Sequence, residues 1–211
     1  TWSYKRDWTE NTFTWDIYCL AGNPAAAVPD GSDIKGDIFG TWDATDAVID
    51  APEAKLLAPV MPRQIVAIGL NYKRHAAESG FPVPEAPLVF VKTPNCVVGP
   101  NDPIILPYMA PDEVDYEAEL VIVIGKTAKN VSTADAPAYV LGYTCGNDVS
   151  ARDCQLRIDK QWARGKCFDT FAPIGPWIET DMDPDSARIS LTLNGDPLQD
   201  SNTSDLIFPC M

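Results

Sequence analysis

The sequence predicts an α+β chain in which β-strands predominate, and three observations carry that expectation. Apolar residues fall in short, β-branched runs such as Ile65-Val-Ala-Ile-Gly69, Leu88-Val-Phe-Val-Lys92 and Val121-Ile-Val-Ile124, which suits strands better than helices. Turn chemistry separates the runs, most plainly at Gly99-Pro-Asn-Asp-Pro103. Near the end, Ile189-Ser-Leu-Thr-Leu193 leads into Asn194-Gly195, the strongest short hairpin signal in the chain.

Taken in order, residues 1–58 form a small β-rich segment. Trp2, Trp8, Trp15 and Trp42 lie there among Gly, Pro and Asp, with an apolar run at Ile17-Tyr-Cys-Leu20 and turns at Asp30-Gly31 and Lys35-Gly36. Pro59 and Pro62 mark a linker, and residues 59–211 make the main domain. The strand ending at Gly69 turns into a short helix through residues 70–80, followed by a stiff loop at Pro82, Pro84 and Pro87 that is either a lid or plain connection. Leu88–Lys92 and Ile104–Leu106 read as strands. Ser132-Thr-Ala-Asp135 reads as a helix start with a hydroxyl cap and an early acid. Tyr139–Cys145 reads as another strand, with a helix beyond Asp153 running toward Trp162 and a new helix start at Thr203 or Ser204.

With 211 residues the chain can bury a core without covalent staples. Its 30 Asp plus Glu against 16 Lys plus Arg give a formal charge of −14, so most of its surface repels a phosphate backbone and nucleic acid is excluded as a partner. No apolar run reaches the roughly 20 residues that span a bilayer, and the first residues carry no charged-then-apolar leader. The expectation is a soluble, cytoplasmic chain with no membrane partner, mitochondrial location remaining open. Opening on Thr1 without an initiator Met also fits a processed or partial product. The six cysteines never form a Cys-x-x-Cys pair and read as reduced, packed thiols. The single histidine, His75, cannot complete a zinc set. Any metal ligands must therefore be mainly oxygens, which favours magnesium, manganese or calcium.

The segment Asp115-Tyr-Glu-Ala-Glu-Leu-Val-Ile-Val-Ile-Gly125 places acids in what otherwise reads as a buried strand. Side chains alternate along a strand, so Glu117 and Glu119 share a face about 6–7 Å apart at ~3.3 Å rise per residue. Either a cation offsets the two charges, or this is a strand end in water. Asp148, at a strand-to-helix turn, is a cap or a third oxygen ligand. In a helix His75 and Glu78 lie three apart. Either the carboxylate orients the imidazole so that the pair can deprotonate a water, or a histidine merely sits beside an acid on an exposed face. Arg152 and Gln155, also three apart, present donors to a carboxylate or form an ordinary solvated face. Lys166 sits in the apolar, turn-rich stretch Gly165–Pro176, where it either snorkels or holds a substrate oxygen.

Glu117-Ala-Glu119, Asn147-Asp-Val-Ser-Ala-Arg-Asp153 and Gly165-Lys-Cys-Phe-Asp-Thr-Phe171, in this order and spacing, resemble the fumarylacetoacetate hydrolase family. So does Gly69-Leu-Asn-Tyr-Lys-Arg-His-Ala-Ala-Glu78, and the resemblance is continuous from about residue 59 to 208. It implies a mixed β-sandwich roll, or pseudo-barrel, in which Glu117, Glu119 and Asp148 bind magnesium or manganese. By the same resemblance Lys166 contacts the substrate, Arg152 and Gln155 help to bind it, and His75 with Glu78 activates water from a lid helix. Members hydrolyse acylpyruvates, decarboxylate oxaloacetate or isomerise hydroxy-diene diacids, sharing a metal-stabilised enolate of a 2-oxo acid, and commonly form homodimers. The resemblance leaves open which of these reactions applies. Members continue past the point where this sequence stops, with further strands and a Gly-Thr-Pro type loop. An alternative expectation is therefore a truncated, catalytically weak chain that binds metal.

Overall fold

The computed structural model describes residues 15–20, 32–48 and 55–210. The signals at Trp2, Trp8 and Asp30-Gly31 lie outside the described residues. The chain is mostly β. Its strands are β1 (Trp15–Leu20), β2 (Ser32–Gly36), β3 (Trp42–Val48), β4 (Ile65–Gly69), β5 (Leu88–Lys92), β6 (Val97–Val98) and β7 (Val114–Asp115), followed by β8 (Ala118–Ile124), β9 (Val140–Asn147), β10 (Ser150–Ala151), β11 (Ala172–Glu179), β12 (Arg188–Leu193) and β13 (Asp196–Asn202). Two short helices, α1 (Lys73–Ser79) and α2 (Ala163–Lys166), interrupt them.

The central sheet has the order β6-β11-β9-β8, and a second sheet has the order β1-β12-β13. β4 with β5, β2 with β3, and β7 with β10 form two-stranded ladders. The arrangement is an open sandwich or roll. β1 pairs antiparallel with β12 from Trp15↔Leu193 to Leu20↔Arg188, so backbone bonds tie the N-terminal segment to the main domain. As Asn194-Gly195 predicts, β12 and β13 form a hairpin with both turn residues at positive φ, the mirror-image turn that matches strand twist. β2 and β3 close through a turn at Asp37–Thr41, in which Gly40 N–H donates to the Asp37 carbonyl at 2.8 Å.

Two apolar clusters hold these layers together. Tyr116 and Ala118 pack against Ile189, Leu191 and Leu193, which joins the acidic strand to β12. Cys96, Ile104, Val114, Val149, Ala151, Cys154 and Phe171 form the other cluster beneath the turn after β9. Cys96 and Cys154 are buried, and neither they nor Cys167 and Cys210 form a disulfide among the described residues. Among the described residues no helix is long and apolar enough to cross a membrane.

Four local expectations are corrected. Ile104–Leu106 is not a strand: Pro103 and Pro107 flank it, and the Ile105 N–H donates to the Thr170 hydroxyl at 2.8 Å instead of to a ladder. Ser132 and Asp135 do bond to one another, but only a 3₁₀ turn at Ala136–Tyr139 follows, with proline in its first turn. The helix expected to reach Trp162 becomes a π turn at Cys154–Ile158, closed by Asp159 N–H donating to the Cys154 carbonyl at 3.1 Å, and the chain is extended at Asp159 before α2. The start at Thr203 yields a 3₁₀ turn, Thr203–Asp205, capped by Asn202.

Candidate active site

The backbone gathers the acids. β8 pairs antiparallel with β9 so that Ala118 faces Asn147 and Glu119 faces Gly146, and the Asp148 N–H donates to the Glu117 carbonyl at 2.8 Å. Glu117 and Asp148, 31 residues apart by number, thus meet at one end of the central sheet. Between β7 and β8 three successive backbone N–H groups are held by side chains. Tyr116 N–H donates to Asp115 Oδ1 at 3.0 Å, Glu117 N–H to Asn147 Oδ1 at 3.0 Å, and Ala118 N–H to Gln199 Oε1 at 2.8 Å.

Buried cations interleave with the acids. Lys166 Nζ lies 2.7 Å from Glu117 Oε2 and 2.8 Å from Asp148 Oδ2, while Lys92 Nζ lies 2.6 Å from Asp148 Oδ1 and 3.1 Å from the Val149 carbonyl. Arg152 donates to Asp115 Oδ2 through Nε at 3.1 Å and Nη2 at 3.0 Å, and through Nη1 to Glu117 Oε1 at 2.6 Å and Gln155 Oε1 at 2.8 Å. Lys166 is 2% exposed and stands over the Phe90 ring, 5.1 Å from its centroid, with Trp162 edge-on to Phe90.

Burial alone raises a carboxyl pKa, yet Lys166 and Arg152 outweigh it at Glu117 and hold that group far below the usual carboxylate range. Burial likewise opposes the charge of Lys166, but Glu117 and then Asp148 raise its pKa, and Glu117 and Asp115 do the same for Arg152. Glu119 is the exception. Burial, followed by repulsion from Glu117 and Asp148, pushes its carboxyl well above the ordinary value. No hydrogen bond or ion pair to the Glu119 side chain occurs among the described residues. Four acids, Asp115, Glu117, Glu119 and Asp148, therefore face three cations, Lys92, Arg152 and Lys166, and Glu119 is the acid of the four without an ion-pair partner.

Close backbone packing delivers Lys166. A Cβ on Gly165 would lie 2.9 Å from the Ala151 carbonyl oxygen and 3.0 Å from Gln155 N, both backbone atoms that cannot swing aside. Gly165→Ala is expected to push α2 off the turn that carries Arg152, costing about 1–3 kcal/mol. Thermal melting checks the loss.

The fold therefore brings together Glu117, Glu119, Asp148, Arg152, Gln155 and Lys166. Arg152 and Gln155 do present donors and acceptors from one face, but Arg152 is engaged by the protein's own acids. His75, half-buried, and Glu78, exposed, ride on α1. That helix is moored to the segment after β13: Arg74 N–H donates to Asp205 Oδ2 at 3.1 Å, and the Asn71 side chain bonds the Phe208 carbonyl and N–H at 3.0 and 2.8 Å. Sequence reasoning missed Lys92, Asp115, Asn147 and Gln199. Asp115 continues the two-residue period of Glu117 and Glu119, and Lys92 ends an otherwise apolar run, so both carried a visible signal. Asn147 and Gln199 carried none.

Among the described residues no three His, Cys, Asp or Glu side chains are arranged to hold a metal ion, and Lys166 spans Glu117 and Asp148. The chemistry of the donor set nevertheless fits a hard divalent cation. All candidate donors are carboxylate oxygens, and Glu119 supplies one without a counter-charge.

Comparison with known proteins gives consistent matches. A family model described as "Fumarylacetoacetate (FAA) hydrolase C-terminal" matches residues 64–211. The chain is 53% identical over 172 residues to a "Fumarylacetoacetate hydrolase domain-containing protein 2 homolog" of Dictyostelium discoideum, covering 76% of this chain and 56% of that protein. It is 44% identical over 171 residues to "Oxaloacetate tautomerase fahd2, mitochondrial" of Xenopus laevis, covering 79% and 53%. This chain thus spans little more than half of either relative. Among solved structures, a 2-hydroxyhepta-2,4-diene-1,7-dioate isomerase from Mycobacterium marinum superposes with a TM-score of 0.77 at 42% identity, covering 85% of this chain and 66% of that one.

Proposed function

The chain belongs to the fumarylacetoacetate hydrolase family, and on that footing we propose that it is a divalent-cation-dependent enzyme acting on a 2-oxo acid through its enolate. The observation that carries the reading is the buried Lys166 ammonium bridging Glu117 and Asp148 beside the unpaired Glu119 carboxylate. Glu117, Glu119 and Asp148 would hold magnesium or manganese, whose positive charge would favour ionisation next to the oxo group. Lys166 presents an ammonium to the substrate oxygen on which negative charge develops. Gln155 accepts from Arg152 through Oε1, which leaves its amide nitrogen to donate to the substrate carboxylate. Arg152 acts by fixing Glu117 and Asp115.

His75, with Glu78 one turn away, is the general base of the proposal. For a 2-oxo acid with hydrogen on C3, the base takes that proton, the C3–H electron pair becomes the C2–C3 double bond, and the oxo oxygen takes up a proton to give the enol. The tautomerase and isomerase names of two relatives favour this ending over hydrolysis of an acylpyruvate or loss of carbon dioxide from oxaloacetate. His75→Ala is expected to lower kcat by about 10²–10⁴-fold while leaving manganese affinity unchanged; equal loss of both would make His75 a ligand or a structural residue.

The proposal includes a homodimer. Val66, Ile68 and Val89 form an exposed apolar face on the β4–β5 ladder, and light scattering tests the pairing. It also includes a compartment, the cytosol or the mitochondrial matrix. The deciding experiment is a panel of 2-oxo acids, with oxaloacetate first, assayed by ultraviolet absorbance of the enol with magnesium, manganese or EDTA. Cation-dependent turnover supports the reading. A folded protein that binds manganese and turns over none of the panel overturns it.

A further inference from the structure

We infer that Gln199, on β13, is a positioning residue for the glutamate pair, acting with Asn147 in place of a missing strand partner. The inference rests on the proposed metal site. The β8–β9 ladder begins at Ala118↔Asn147, and just before it the Glu117 carbonyl accepts from the Asp148 N–H, but the N–H groups of Glu117 and Ala118 go to side chains instead of to a strand. Asn147 Oδ1 accepts the Glu117 N–H and Gln199 Oε1 accepts the Ala118 N–H. Two side-chain amides from separate elements therefore grip successive backbone N–H groups of the segment that carries Glu117 and Glu119.

Asn147 is a costly choice for its buried surroundings, and Gln199, half-buried, stands beside an apolar cluster. Asn147 is 2% exposed, and its Nδ2 has no partner among the described residues, so its oxygen bond to Glu117 is what its burial secures. Gln199 pairs across the hairpin with Leu191, whose side chain packs with Tyr116, Ala118, Ile189 and Leu193. An apolar residue there would extend that cluster but leave the Ala118 N–H without an acceptor. The bond from Gln199 fixes the Glu117–Ala118 peptide, and so the directions in which the Glu117 and Glu119 side chains leave the strand. Groups that orient ligands in this way commonly change metal affinity by about 10–100-fold when removed.

Gln199→Met keeps the side chain's length and removes the acceptor, whereas Gln199→Glu restores an acceptor oxygen. Manganese affinity by calorimetry and hydrogen exchange of the Ala118 amide by NMR are measured for both variants and the parent. In the Met variant manganese affinity is expected to fall about 10–100-fold and Ala118 exchange to accelerate. The Glu variant should regain slow exchange and at least the parent's affinity. A Met variant that binds manganese as the parent does overturns the inference. If the Met variant does not fold, the Glu variant decides: parental affinity with a protected Ala118 amide supports the role, and weakened affinity overturns it. If the parent itself binds no manganese, the metal reading falls separately. Gln199 is then judged on Ala118 exchange in the metal-free protein, where unchanged exchange in the Met variant removes its role.

Discussion

Glu117→Gln is expected to destabilise the metal-free protein by about 3 kcal/mol, a fall in Tm of about 6–12 °C for a chain of this size. Glu119→Gln is expected to leave Tm at or above that of the parent. Both variants lose manganese affinity. The contrast follows from the partners. Glu117 faces two buried cations, Lys166 at 2.7 Å and Arg152 at 2.6 Å, so neutralising it weakens the compensation of both, although Lys166 keeps Asp148 and Arg152 keeps Asp115. Glu119 has no ion-pair partner; burial and two neighbouring carboxylates oppose its ionisation and outweigh the attraction of Lys166. The pH dependence differs accordingly. Glu117, with its folded pKa depressed, contributes stability that is present above the ordinary carboxyl range and lost as pH falls through the lower, folded value. Glu119, with its folded pKa raised, holds a proton that the unfolded chain has released, so stability falls as pH rises above the ordinary carboxyl value. Urea unfolding in EDTA across that window should show the second slope in the parent and not in Glu119→Gln. If the two variants lose equal stability, the charges are not partitioned as described.

The extent to which sequence disclosed this site follows from what kind of signal each part leaves. Glu117 and Glu119 stand out because they open the segment that runs into β-branched Val121–Ile124, and Lys166 because it interrupts an apolar loop. An ionisable residue where the local pattern demands burial is conspicuous without any knowledge of the fold. The mostly β architecture and the Asn194-Gly195 hairpin were legible for a related reason, since strand period and turn chemistry are local. What remained hidden was long-range pairing. That Arg152 is spent on Asp115 and Glu117 depends on β7 pairing with β10, and that Lys92 reaches Asp148 depends on β5 lying against the turn after β9. The erroneous strand at Ile104–Leu106 shows the same limit: apolar and β-branched residues suit a strand, but Thr170, 65 residues away in number, takes the N–H that a ladder would need. Gln199 was invisible because a glutamine in a hairpin has an obvious solvated reading, which only its contact with Ala118 removes.

Lys166→Met separates the observed charge compensation by this ammonium from the substrate role proposed for it. As a counter-ion, Lys166 keeps Glu117 and Asp148 from repelling one another across the site. As the proposed substrate group, it is buried over the Phe90 ring, where a charge that meets a developing oxyanion is worth far more than it would be in water. Removing the ammonium at nearly constant volume should lower kcat by about 10²–10³-fold and reduce the stability of the metal-free protein. The same change frees one oxygen on Glu117 and one on Asp148, the two that the ammonium now occupies. Manganese affinity should therefore hold or increase, and added manganese should recover much of the lost thermal stability without recovering the rate. Calorimetry, thermal melting with and without manganese, and the enol assay read these three effects on one variant. Normal turnover in Lys166→Met would confine the lysine to charge compensation, and a loss of manganese affinity would mean that the carboxylates need the ammonium to stay in place.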